Sequence, residues 1–246
     1  CPHIRLVSYW ELEYAKITET IKRLAHGDIE GRAGKQLNRP QISLQEFVGA
    51  AHGLPETPLV MDFLSLEKNP EAADRVLREI AAVVAVDCLF NNFDRVPINV
   101  WDNDGNFGNV LLQSGANGSA VPKVVALDNG LFPIKKEISG KPNPQYARFL
   151  TRLGSLVSGV KRTDGTESEA VRDFREKFLF GTGITLGPKE GLVFQAGLLT
   201  MFKKLAALDL SFFQREKDFV SQMVSDGRDW QNVWAKDCES ISIPFI

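Results

Sequence analysis

A helix that opens at Asn69-Pro70-Glu71 and grows steadily more apolar until Cys88-Leu89-Phe90 constrains this chain more than any other stretch. Asn69 can cap the first turn with its side-chain oxygen, and Pro70 suits the first helical position, where an N–H has no intrahelical partner to lose. The apolar run over residues 80–90 is interrupted only by Asp87. It falls short of the roughly 18 residues a membrane span requires, so the far end of the helix belongs in a protein core. Helix periodicity then stops: Asn91-Asn92-Phe93-Asp94-Arg95-Val96-Pro97-Ile98-Asn99 reads as a polar loop whose backbone Pro97 pins.

Further along, Asp102-Asn103-Asp104-Gly105-Asn106 signals a turn and Asn109-Val110-Leu111-Leu112 a short strand. Residues 115–119 make another turn, and residues 123–127 form a strand that delivers Asp128-Asn129-Gly130. Pairing of the two strands sets Asn109 and Asp128 at neighbouring ends of a hairpin. Before the central helix, residues 10–26 carry Tyr14, Ile17, Ile21 and Leu24 at helical spacing, with Gly27 as terminator. Residues 42–48 read as a strand running into a small-residue turn, Gly49-Ala50-Ala51-His52-Gly53. Helices are predicted over residues 144–157, 168–179, 188–210 with a division near Gly197, 212–224 and 230–238. A few short strands among many helices argue against an alternating α/β sheet. They point to an α+β fold, a mostly helical lobe carrying a short β hairpin.

Asp94 and Asn99 stand five positions apart in the polar loop, and Asp128 follows a strand. Such a set offers one carboxylate to orient an attacking hydroxyl and accept its proton. It also offers an amide and a second carboxylate to hold magnesium on phosphates. Phosphoryl transfer depends on positioning and charge compensation, so oxygen-rich side chains are the equipment it needs. Taken singly, each residue has a plainer role: Asp94 as a cap or a partner of Arg95, Asn99 in an Asx turn, Asp128-Asn129-Gly130 as a tight turn. Asp102, Asp104 and Asn106 begin like a calcium loop, but the glutamate required later in such a loop is missing, which excludes a calcium-binding hand.

Phe93-Asp94-Arg95-Val96-Pro97-Ile98-Asn99, followed by Gly105-Asn106-Phe107-Gly108-Asn109-Val110-Leu111-Leu112 and Ala126-Leu127-Asp128-Asn129-Gly130, resembles the catalytic segment of the actin-fragmin kinase family. That family has an atypical protein-kinase fold related to the phosphoinositide 3- and 4-kinases. The resemblance implies that Asp94 is the catalytic aspartate and Asp128 the aspartate on the phosphate-bridging metal. Asn129 stands where ordinary protein kinases carry Phe. Asn99 keeps the usual five-residue separation from Asp94, whereas Asn109 has the usual apolar strand directly after it; both are candidate metal ligands. Glu46, Phe47 and Val48 resemble the hinge segment whose backbone pairs with adenine. The implied cofactors are ATP and Mg2+. The implied reaction is transfer of the γ-phosphate to a threonine of actin, particularly in an actin-fragmin complex. Two other classes fit the same residues: a phosphoinositide or small-molecule kinase, and an inactive actin-binding scaffold.

In this reading residues 1–48 are a remnant of the N-terminal lobe and hinge strand, and residues 49–246 are the C-terminal catalytic lobe. No Gly-rich phosphate loop and no strand lysine with its helix glutamate is readable before the hinge, so most of the N-terminal lobe is expected outside this chain. The start at Cys1-Pro2-His3 agrees with a piece of something longer. A formal charge of −2 speaks against general attraction to nucleic acid or anionic lipid. Cys1, Cys88 and Cys238 are widely spaced and fit a reduced compartment. A cytoplasmic location is expected, with cytoskeletal association following from the actin partner.

Overall fold

The computed structural model describes residues 4–8, 12–24, 41–45, 51–55, 58–113, 121–128, 134–162, 164–209, 211–212 and 214–215. The chain divides into two compact units, Cys1–Gly49 and Ala50–Ile246. Both are small mixtures of helix and antiparallel strand, and helix dominates the second, in general agreement with a protein-kinase-like α+β fold.

In the first unit, β1 (Ile4–Ser8) pairs antiparallel with β2 (Gln41–Gln45), Ile4 facing Gln45 and Ser8 facing Gln41. Between them in sequence lies α1 (Leu12–Leu24), where Tyr14, Ile17 and Ile21 are half-buried at the expected helical spacing. The hinge candidates Glu46, Phe47 and Val48 lie outside the described residues, as does Gly27.

In the second unit, β3 (Ala51–Gly53), β4 (Val110–Gln113) and β5 (Lys123–Ala126) form an antiparallel sheet in the order β3-β4-β5. The expected turn over residues 49–53 is thus corrected at Ala51–Gly53, which is an edge strand facing Leu111–Gln113. Small side chains invite a turn locally, but the neighbouring strand offers ladder partners for the backbone, and pairing wins.

A short helix, α2 (Leu59–Leu64), buries Val60 and Leu64 one turn apart. The long helix α3 (Pro70–Phe90) then begins as anticipated, with the Asn69 side chain accepting from the Ala72 N–H. Ala73, Val76, Leu77, Ile80, Ala81, Val84 and Cys88 are fully buried along it, so α3 is the axis of the core. It stops at Asn91, whose left-handed backbone (φ 53°) lets its N–H close on the Asp87 carbonyl.

Beyond a small hairpin of β6 (Glu137–Ile138) and β7 (Lys141–Pro142) come the helices α4 (Pro144–Val160), α5 (Glu169–Thr182) and α6 (Pro188–Ala206). Phe174 of α5 stacks on Phe194 of α6 with ring centroids 3.9 Å apart. Phe178 meets Phe107 edge-on at 5.2 Å, which anchors the turn leading into β4. Among the described residues no helix is long and apolar enough to cross a membrane.

The division expected near Gly197 does not occur, and α6 runs unbroken through it. Gly197 lies where α6 meets α3: a Cβ there would stand 2.8 Å from the Ala81 Cβ and 2.9 Å from the Arg78 Cα. The glycine therefore permits close helix approach at the known cost in helix propensity. Gly197→Leu should destabilise by at least about 1–3 kcal/mol through overpacking, read as a lower urea midpoint with an unchanged m-value.

Candidate active site

The polar loop is built on the end of α3. Trp101 Nε1 donates to Asn91 Oδ1 at 2.9 Å, folding the chain back onto the helix terminus. Buried Val96, Ile98 and Val100 fix every second residue of the loop in the core and leave Asp94 half-buried before them. The Asp94 N–H donates to Asn92 Oδ1 at 3.3 Å, an Asx turn. Gly105 adopts φ +66° beneath the loop, where any Cβ would come within 2.9 Å of the Arg95 carbonyl and the Pro97 ring. The Asn106 N–H donates to that Arg95 carbonyl at 2.8 Å, and the Asn106 side chain caps Gly108 at 3.1 Å.

This folded turn delivers Asn109. Its Nδ2 donates to the Asp94 carbonyl at 2.7 Å, and its own carbonyl accepts from the Leu127 N–H at 2.8 Å. The register of Val110 with Ala126 puts Asn109 and Asp128 at the same end of the β4–β5 pair, as the hairpin reading expects. Asp94, Asn109 and the strand end carrying Asp128 are thereby joined through two hydrogen bonds. Asp128 is exposed and holds φ 48°, a left-handed conformation that aspartate tolerates better than most residues. Asn99 is not part of this set: its side-chain oxygen is enclosed with no hydrogen-bond donor among the described residues.

A buried cation locks the arrangement from below. Arg95, 2% exposed, donates through Nη1 to Asp87 Oδ1 and through Nε and Nη2 to the Leu127 carbonyl at 3.2 and 2.8 Å. Nη2 also reaches the Asp128 carbonyl at 3.4 Å. Asn92 Nδ2 reinforces both ends, with Asp87 Oδ1 at 3.3 Å and the Asp128 carbonyl at 3.5 Å. Burial pushes the Asp87 carboxyl up to about 6, against the pull of the Arg95 guanidinium and the Asn92 amide.

A family model described as actin-fragmin kinase, catalytic, matches residues 1–201, which contain this whole arrangement. The chain belongs to that family. Two Dictyostelium discoideum proteins, both named as candidate actin-fragmin kinases, are each 24% identical, over 181 and 179 residues. The matches take in 70% and 69% of this chain but only 40% and 38% of those relatives, so the chain spans about two fifths of their length.

Sequence reasoning missed the Asp87–Arg95 pair. Pairing with Arg95 is one of the plainer roles the sequence offers Asp94, yet the Arg95 guanidinium goes to Asp87 eight residues earlier and to the backbone beside Asp128. The signal existed in Asp87 itself, since a carboxylate inside an apolar helix must find a cation or lose its charge.

Proposed function

We propose that this chain is the catalytic part of an ATP-dependent protein kinase that transfers the γ-phosphate to a threonine hydroxyl of actin, preferentially in an actin-fragmin complex. Family membership supports kinase-type catalysis, and the names of the two relatives support an actin-related substrate. The observation that carries the reading is the Asn109 side chain on the Asp94 carbonyl, which ties the proposed base to the proposed metal-binding end of the sheet.

In this reading Asp94 orients the acceptor hydroxyl and takes its proton as the oxygen bonds to the γ-phosphorus and the bond from that phosphorus to the β–γ bridging oxygen breaks, releasing ADP. Asp128 and the side-chain oxygen of Asn109 are the Mg2+ ligands. The donor set suits that ion: Asn109 spends its Nδ2 on Asp94, which leaves the oxygen as its acceptor end, and Asp128 offers an exposed carboxylate. When bound, Mg2+ neutralises charge on the phosphates. Asn99 shapes the loop. Glu46, Phe47 and Val48 are the proposed adenine contacts, and residues 1–48 the proposed remnant of the N-terminal lobe.

The test is transfer of label from γ-labelled ATP to an actin-fragmin complex by the full-length protein. Labelled threonine on actin is expected. A folded protein that binds actin without labelling it would favour the scaffold, and label on a phosphoinositide instead would move the substrate class. Asn109→Ala should raise the Mg2+ needed for half-maximal rate by roughly 10- to 100-fold. Asn99→Ala should leave that requirement unchanged, and the reverse pattern would exchange the two assignments.

A further inference from the structure

Beside the loop that carries Asp94 lies a solvent-open cavity of about 280 Å³, roomy enough for one or two amino-acid side chains. Buried Trp101 and Phe149 line it together with Phe93, an exposed aromatic residue. Arg148, Phe149 and Arg152 share one face of α4, since they fall at i, i+1 and i+4 and all line the cavity. Asp102 faces the two arginines, 2.7 Å from Arg152 Nη1 and 3.8 Å from Arg148 Nη1. Lys177 also acts on Asp102 electrostatically, but it is paired with Asp173 at 3.2 Å. Among the described residues that line the cavity, two guanidinium groups stand against one carboxylate, an excess of one positive charge.

Phe93 is the residue immediately before Asp94, and its carbonyl is held by Asn103 Nδ2 at 2.6 Å. Consecutive Cα atoms are about 3.8 Å apart and an extended chain advances about 3.3–3.6 Å per residue. A side chain seated against Phe93 therefore belongs to a segment within about two or three residues of the hydroxyl presented to Asp94.

We propose that this cavity seats the protein-substrate segment that flanks the phosphoacceptor hydroxyl, and that it selects an aromatic side chain accompanied by a carboxylate. The inference rests on Asp94 being the catalytic carboxylate. The aromatic ring packs on Trp101, Phe149 and Phe93, while the carboxylate takes the unspent charge of Arg148 and Arg152. Charge decides between a peptide and a phosphoinositide headgroup. One spare positive charge matches one carboxylate, whereas a headgroup bearing several phosphate charges would meet Asp102 with too few cations to balance it.

The experiment uses the full-length protein and threonine peptides on an alanine background. One carries Phe-Glu two residues from the threonine; the controls carry Phe-Lys and Ala-Glu. The Phe-Glu peptide should show a KM about tenfold below either control. In Arg148→Glu/Arg152→Glu the preference should turn towards Phe-Lys, with kcat and the KM for ATP within about twofold of the starting protein. Both arginines are solvent-accessible, and far-UV circular dichroism checks that the fold is kept. Asp102→Ala removes the internal competitor and should lower the KM for Phe-Glu severalfold.

Equal KM values for the three peptides, or an unchanged preference in the charge-reversed variant, would overturn the site while leaving the kinase reading intact. If no peptide or protein is phosphorylated, the kinase reading fails by itself. Binding of fluorescein-labelled Phe-Glu peptide then tests the cavity alone: binding lost on charge reversal supports it, and binding that ignores the reversal overturns it. Binding of phosphatidylinositol 4-phosphate vesicles that depends on both arginines, without any peptide preference, also overturns it.

Discussion

Replacing Asp94 by Asn is expected to lower kcat for phosphate transfer by about 10²- to 10⁴-fold, with little change in the KM for ATP. The substitution is nearly isosteric, and the hydrogen bonds that hold this residue in place run through its backbone. Its N–H donates to Asn92 and its carbonyl accepts from Asn109, and neither bond depends on the carboxylate. The loop should therefore keep its shape, and the loss can be read as chemistry. Asp128→Asn should be equally well tolerated by the fold, because asparagine accepts the left-handed backbone found there at φ 48°. Its deficit should appear as a higher Mg2+ requirement, partly recovered at high Mg2+. Steady-state kinetics at several Mg2+ concentrations separates the two, and an Asp94→Asn protein that turns over normally would remove the base from this site.

The second large effect concerns stability. Arg95→Met should cost roughly 3–5 kcal/mol, because it leaves the Asp87 carboxylate buried without its cation and withdraws the donors from the Leu127 and Asp128 carbonyls. The double variant Asp87→Leu/Arg95→Met should be far less damaged than the sum of its parts, since it buries no unpaired charge.

The pH dependence has a definite sign. The Asp87 pKa is raised from 3.8 to about 6 in the folded protein, so between those values the folded chain binds more protons than the unfolded one. Stability from this group is then greatest below its unfolded pKa, falls as pH rises through about 6, and is flat above. Without Arg95 the carboxyl loses its main attraction and the falling window moves to higher pH. Arg95→Met should therefore be hurt more at pH 8 than at pH 5, and Asp87→Asn should abolish the slope. Urea unfolding at pH 5, 7 and 8 measures both, and an equal loss at all three would show that the ionised pair is not what Arg95 supports.

Asp94 and Arg95 are neighbours in sequence with different surroundings. Asp94 sits half-buried with its backbone fully engaged, whereas Arg95, beside it, is sealed in the core and points its guanidinium at the backbone that leads into Asp128. The buried floor and the proposed base are thus consecutive in sequence. A change in the floor should displace Asp128 as well as destabilise the chain, so Arg95→Met should lower activity even where the protein remains folded.

The sequence by itself determined the features whose causes are local. The Asn69 cap and Pro70 start of α3 follow from the orphan N–H groups of any first helical turn. The β4–β5 pairing that brings Asn109 and Asp128 to one end follows from two apolar strands flanking turn residues. The motifs around Asp94, Asn109 and Asp128 were legible as a resemblance to the family whose model matches the chain. Only the tertiary structure decided that Arg95 serves Asp87, that Ala51–Gly53 becomes an edge strand, and that Gly197 marks a helix contact instead of a break. It alone also brought Arg148 and Arg152 over the loop beside Asp94. Caps, turns and periodicity are fixed by residues a few positions apart. Desolvation and close packing depend on which distant segments meet, and that is a property of the folded chain.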